Sequence, residues 1–112
     1  IPNLRCRIIA GGANCQLEDE VKDDKRLHEF KILIAPDYVI NAGGVMQGIE
    51  ELTGGTLENA RARLPLIAEN LKLIYKKSKQ KGKGTYAIAK KIAKSKINSK
   101  RIPSLLPNHK GI

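Results

Sequence analysis

The chain has 112 residues, 41% hydrophobic and 29% charged, enough apolar material for one domain with a modest core and too much for disorder throughout. No apolar run approaches the roughly 18 residues that span a bilayer, and no signal-peptide pattern opens the sequence, so a soluble cytoplasmic protein with no membrane partner is expected. The net charge of +10 is lopsided: Glu69 is the last acidic residue, and thirteen basic residues follow it from Lys72 to Lys110.

Such a basic half can attract nucleic acid or an acidic partner, or can be a solvated lysine face. It offers only Tyr75 and Tyr86 as base-stacking aromatics, which argues against nucleic acid. Cys6 and Cys15 sit in apolar or Gly-rich surroundings and read as reduced thiols. With His28 and His109 far apart, they make a poor zinc set, and no metal site is expected.

In chain order, "LRCRIIA" (Leu4 to Ala10) alternates and then turns continuously apolar, the pattern of a mostly buried strand ending at Gly11-Gly12. Asn14 can cap a short helix through Gln16, Leu17 and Val21, with "EDEVKDDK" as its exposed continuation. "ILIA" (Ile32 to Ala35) is a second short strand, stopped at Pro36. The helical stretch between the two strands is the spacing of a βαβ unit with a parallel pair.

Gly43-Gly44 opens a helix through Val45, Ile49 and Leu52 to Thr53-Gly54-Gly55. Thr56 then caps a long helix whose stripe is Leu57, Ala60, Leu64, Ile67, Leu71, Ile74 and Ser78, with Arg61, Arg63, Lys72, Lys76, Lys77 and Lys79 outside. Pro65 lies within it and should kink it. After "KGKG", Thr85 to Ile97 forms an amphipathic helix burying Ile88, Ala89, Ile92 and Ala93. From Asn98 periodicity is lost, and residues 98–112 read as an irregular extension. Two parallel strands cannot close an α/β sheet, so the chain looks like part of a domain.

"RIIAGGANCQL" followed by "ILIAPDYVINAGGV" resembles the leucine, phenylalanine and valine dehydrogenases, relatives of glutamate dehydrogenase. The likeness covers residues 1–97, with Gly12 where the family pattern has Ser and Cys15 where it has a second Asn. It implies an α/β fold, the C-terminal half of a Rossmann-like NAD-binding domain that is incomplete on its own. Residues 1–97 would be that partial dinucleotide-binding domain. The implied parent activity is oxidative deamination of an L-amino acid, leucine-type, to the 2-oxo acid, with NAD as cofactor. The implied assembly is a homo-oligomer or a pairing with a complementing N-terminal chain.

The resemblance also assigns residues. Ala13 and Asn14 are expected at the nicotinamide end of the cofactor, with Asn14 near the ribose. Asn41 is expected to bridge cofactor and bound amino acid, for a neutral amide both accepts and donates. Leu71 and Ile74 are candidates for the substrate side-chain pocket. Plainer readings stand beside each: Asn14 a helix cap, Asn41 a turn residue tolerating left-handed backbone angles, Leu71 and Ile74 ordinary core. Asp37 reads as a turn-stabilising acceptor.

The family's two functional lysines, its catalytic Asp and its glycine fingerprint have no counterpart in these 112 residues. No catalytic residue is therefore expected here, and the chain alone should be inactive. The string Gly82-Lys-Gly-Thr-Tyr-Ala87 fits G-x-G-x-x-A in form, but a Lys-rich helix precedes it where a strand is required. The alternative function is a non-catalytic basic module contacting nucleic acid or an acidic partner.

Overall fold

A computed structural model of the chain describes residues 1–99. It contains two strands and six helices: β1 (Ile8–Ile9), α1 (Glu20–Glu29), β2 (Leu33–Ile34), α2 (Asp37–Ile40), α3 (Gly43–Leu52), α4 (Leu57–Arg63), α5 (Pro65–Lys81) and α6 (Thr85–Ser99). The strands pair in parallel, Ile8 beside Leu33 and Ile9 beside Ile34. Helix α1 makes the crossover, as the spacing predicts. The ladder is short: the Leu33 amide donates to the Arg7 carbonyl at 2.9 Å and the Ala35 amide to the Ile9 carbonyl at 2.9 Å. Leu4 to Cys6 do not join it, because strand length is set by pairing as much as by apolar pattern. Ile8 stays 63% exposed on the uncovered side of the pair.

Helix α1 starts five residues later than Asn14 would have set it. Its cap is Asp19, whose Oδ1 accepts from the Lys22 amide at 3.0 Å, while Asp23 Oδ2 accepts from the Asp19 amide in return. This reciprocal arrangement satisfies two helix-end donors and outcompetes the lone Asn upstream. Helix α1 ends with Lys31 in the left-handed region at φ 57° and returns the chain to β2.

Pro65 divides the long helix instead of kinking it. Arg63 closes α4, and Pro65 opens α5 at its first position, where a missing N–H costs nothing. Thr56 caps α4 as expected, accepting from the Asn59 amide at 3.2 Å. Helix α5 ends at Gly82 in the left-handed region, φ 59°. Helix α6 runs two residues beyond Ile97, so Asn98 and Ser99 are helical, not part of an irregular extension. The rest of that extension, residues 100–112, lies outside the described residues.

The core has two clusters that meet at α6. Leu27, Ile32, Ile34 and Tyr86 form one, with Ile1, Ile9 and Leu17 against it. Ile74, Ile88 and Ala89 form the other, with Val39, Tyr75 and Ile92 against it. Within the expected stripes, Leu57, Leu64 and Ala93 are exposed, not buried. The α3–α4 hairpin is pinned by the Glu50 carboxylate, nearly inaccessible to solvent, 2.7 Å from the Arg63 guanidinium. Val45, Ile49 and Leu52 on α3 remain open. Among the described residues no helix is long and apolar enough to cross a membrane.

Candidate functional site

The two parallel strands end on the same side, and the segments leaving them are tied together by one buried carboxylate. Pro36 stops β2 and sends the chain into α2, with Asp37 as its first residue and only 7% exposed. Asp37 Oδ2 accepts from the Cys15 amide at 2.6 Å. Its Oδ1 accepts from the Tyr86 hydroxyl at 3.1 Å, and that hydroxyl accepts from the Asp37 amide at 3.3 Å. The turn after β1, the start of α2 and the start of α6 thus converge on Asp37. Burial pushes the Tyr86 phenol up to about 12. Burial, with Glu20 adding negative charge, pushes Tyr38 further still above the usual tyrosine range. The two rings meet edge to face, centroids 5.7 Å apart.

This clamp brings the two candidate amides together. The Asn41 Nδ2 donates to Asn14 Oδ1 across 27 positions of sequence. Asn41 closes α2 at φ −95°, so it is not in the left-handed region. Nor does Asn14 cap a helix. Cys15 is the residue held left-handed, at φ 53°. The Ala13 carbonyl faces inward to the turn, accepting from Gln16 Nε2 at 3.0 Å. Asn14, Asn41 and Ala13 therefore share one turn cluster beyond the carboxyl ends of parallel strands, where ligands of open α/β sheets bind.

The chain is 41% identical over 99 residues to leucine dehydrogenase of Bacillus cereus, covering 88% of the chain and 27% of that enzyme. It is 42% identical over 105 residues to L-tryptophan dehydrogenase of Nostoc punctiforme and 35% identical over 101 to valine dehydrogenase of Streptomyces virginiae. The crystal structure of the Nostoc punctiforme L-tryptophan dehydrogenase superposes with a TM-score of 0.83 at 39% identity, over 88% of this chain and 29% of that one. The chain belongs to the amino-acid dehydrogenase family. It spans between a quarter and a third of the length of the curated relatives it matches. No family model matches it.

In this dehydrogenase-family chain the formal G-x-G-x-x-A string opens α6, and the geometry shows why it is not a phosphate site. The Asp24 carboxylate fills the helix N-terminus, Oδ1 accepting from the Tyr86 amide at 3.1 Å and Oδ2 from the Ala87 amide at 3.0 Å. A side chain at Gly84 would overlap that carboxylate. The helix end that would favour a phosphate already holds an anion of its own. The start of α6 thus offers no pyrophosphate cradle.

The pocket candidates of this dehydrogenase-family chain divide. Ile74 is 3% exposed and packs in the second core cluster, though its edge reaches a cleft of about 160 Å³ shared with Tyr38 and Val39. Leu71 is half-buried. No contact joins either to Asn14 or Asn41 among the hydrogen bonds and core clusters. Sequence reasoning missed Tyr86 and Asp24, whose partners lie 49 and 62 positions away. It took Asp37 as a local turn acceptor, whereas its partners are distant. Among the described residues no group of three or more His, Cys, Asp and Glu could hold a metal ion.

Proposed function

We propose that the chain forms the nicotinamide- and substrate-facing part of an NAD-dependent L-amino-acid dehydrogenase of the leucine type. The reaction is L-amino acid plus NAD⁺ and water giving 2-oxo acid, ammonium, NADH and a proton. The observation that supports this reading is the juxtaposition of Asn14 and Asn41, held by Asp37 beyond the strand ends. NAD supplies the hydride acceptor. The chain's own part is orientation: Asn14 toward the ribose, Asn41 between the carboxamide side and the amino acid, with the Ala13 turn backing the ring. An amide suits a place between two neutral or zwitterionic groups, for it donates through Nδ2 and accepts through Oδ1 without changing charge. Leu71 and Ile74 would contribute apolar surface to the amino-acid side chain. Residues 1–97 act as a partial dinucleotide-binding domain, in a homo-oligomer or with a chain that completes it.

The resemblance leaves the family's two functional lysines and catalytic Asp without counterparts in this sequence, so the purified chain alone should not turn over L-leucine with NAD. Turnover by the chain, abolished by Asn41→Ala, would overturn that statement. The functional assignment is tested by replacing the matching segment of Bacillus cereus leucine dehydrogenase with residues 1–97. The chimera should retain NAD-dependent oxidation of leucine. Asn41→Ala in it should lower kcat/KM by about a hundredfold, as loss of an orienting group does. An active chimera indifferent to Asn41→Ala would refute the role of Asn41.

A further inference from the structure

Helices α5 and α6 lie side by side with an open cleft of about 290 Å³ between them. Its floor is apolar: Leu73, 39% exposed, with Ile88 and Ile92 beneath. Its rim is cationic, with Lys77 and Lys81 from α5 and Lys91 and Lys96 from α6. Among the described residues none of these four ammonium groups lies within ion-pair distance of a carboxylate; the ion pairs present use Lys25, Arg26, Arg63 and Lys90. No acidic residue follows Glu69 in the sequence, so nothing on α6 or the last part of α5 neutralises the rim.

We propose that this cleft docks an acidic amphipathic helix of another protein, its apolar side chains on Leu73 and Ile92 and its carboxylates against the lysines. Three observations select that occupant. Lys77 and Lys81 stand one helical turn apart, about 5–6 Å, which matches carboxylates spaced i and i+4 on a partner helix. The apolar floor contributes nothing to a phosphate backbone but suits a helix face, and among the described residues no aromatic ring lines the cleft for base stacking. A second copy of this chain is a poor occupant because most of its acidic stretch is already engaged, leaving Glu18 alone of the five carboxylates from Glu18 to Asp24. Asp19 caps α1, Glu20 pairs with Lys90, Asp23 with Arg26, and Asp24 caps α6. Residues 100–112 contain Lys100, Arg101 and Lys110 and no carboxylate side chain, so they do not complement the rim.

The test uses the 112-residue chain and a fluorescein-labelled peptide of about 18 residues, Leu and Ala on one helical face and Glu on the other. Anisotropy should show saturable binding that weakens with salt. Lys77→Gln together with Lys91→Gln should weaken it about tenfold, two lost charge contacts of ordinary size. Leu73→Ser should weaken it severalfold, since the floor contributes by burial. These positions are exposed or half-buried, and circular dichroism checks that each variant keeps its helix content. Three results would overturn the proposal: no binding in low salt, equal binding of a scrambled peptide that cannot form an amphipathic face, or indifference to Leu73→Ser. An oligonucleotide that binds more tightly than the peptide and is weakened by the lysine substitutions alone would instead assign the cleft to a phosphate backbone.

Discussion

Asp24 and Asp37 are buried carboxylates, and among the described residues no cation lies within ion-pair distance of either. Each is stabilised by backbone N–H groups, and Asp37 also by a phenol, in place of a salt bridge. Tyr86 contacts both, through its amide and its hydroxyl. Its phenol has a folded-state pKa of about 12, above the ordinary value near 10, so folding favours the protonated form. That contribution is fully present below about pH 10 and is lost as pH rises toward about 12. Urea melts at about pH 8 and about pH 11 should therefore show the wild type losing stability. Tyr86→Phe should be weaker by about 1 kcal/mol at the lower pH and should lose less stability than the wild type across the interval, with Tyr38 supplying the loss that remains. Cys15 makes a second residue-scale case. At φ 53° a thiol side chain gains nothing, whereas Asn is the non-glycine residue most tolerant of that region. Cys15→Asn should raise stability by about 0.5–1 kcal/mol in equilibrium urea unfolding, keeping the amide that Asp37 accepts from. An unchanged or lower midpoint would show that the turn is not strained there.

Among the elements, helix type and order were readable where periodicity was long. The two strands, the parallel crossover, α3, the cap at Thr56 and the start of α6 follow from pattern and punctuation. What pattern could not supply were the choices made by distant groups. Asp19 and Asp23 displaced Asn14 as the α1 cap, a signal present in the sequence as two carboxylates four apart. The division at Pro65 turns on whether one helix or two better follows the core, which local pattern leaves open. Helix α6 illustrates the same dependence on long range: its cap is a side chain 62 positions away. Gly84→Ala should therefore destabilise the fold by about 2–3 kcal/mol in denaturant titration, because the new methyl must displace the Asp24 carboxylate from two amide donors. An alanine tolerated there without loss would show that Asp24 has another low-energy rotamer.

For the molecule as a whole, order is concentrated where α1, β2 and α6 meet. Leu27 and Ile34 are almost fully buried there, and Asp24, Thr85 and Tyr86 lock the elements by hydrogen bonds. The α3–α4 hairpin is different: Val45, Leu52 and Leu57 are 66%, 90% and 51% exposed, and the Glu50–Arg63 ion pair with buried Ala60 lies at its centre. Amide hydrogen exchange should be slowest in α1 and in the first turns of α6 and fastest in α3 and α4. Uniform protection would contradict this division. The candidate site was half legible on the same grounds. Asn14 and Asn41 stood out by motif, but their contact depends on Asp37 and Tyr86, which no local pattern connects.

The bond between Asn14 and Asn41 means that each amide is the other's occupant. The bond engages Asn41 Nδ2 and Asn14 Oδ1 and leaves Asn41 Oδ1 and Asn14 Nδ2 outside it, so a ligand that needs the first two atoms to itself must displace one amide from the other. The affinity forgone is about the net worth of one neutral hydrogen bond, roughly 1 kcal/mol or fivefold in dissociation constant. In return, each amide is held to one partner and one orientation.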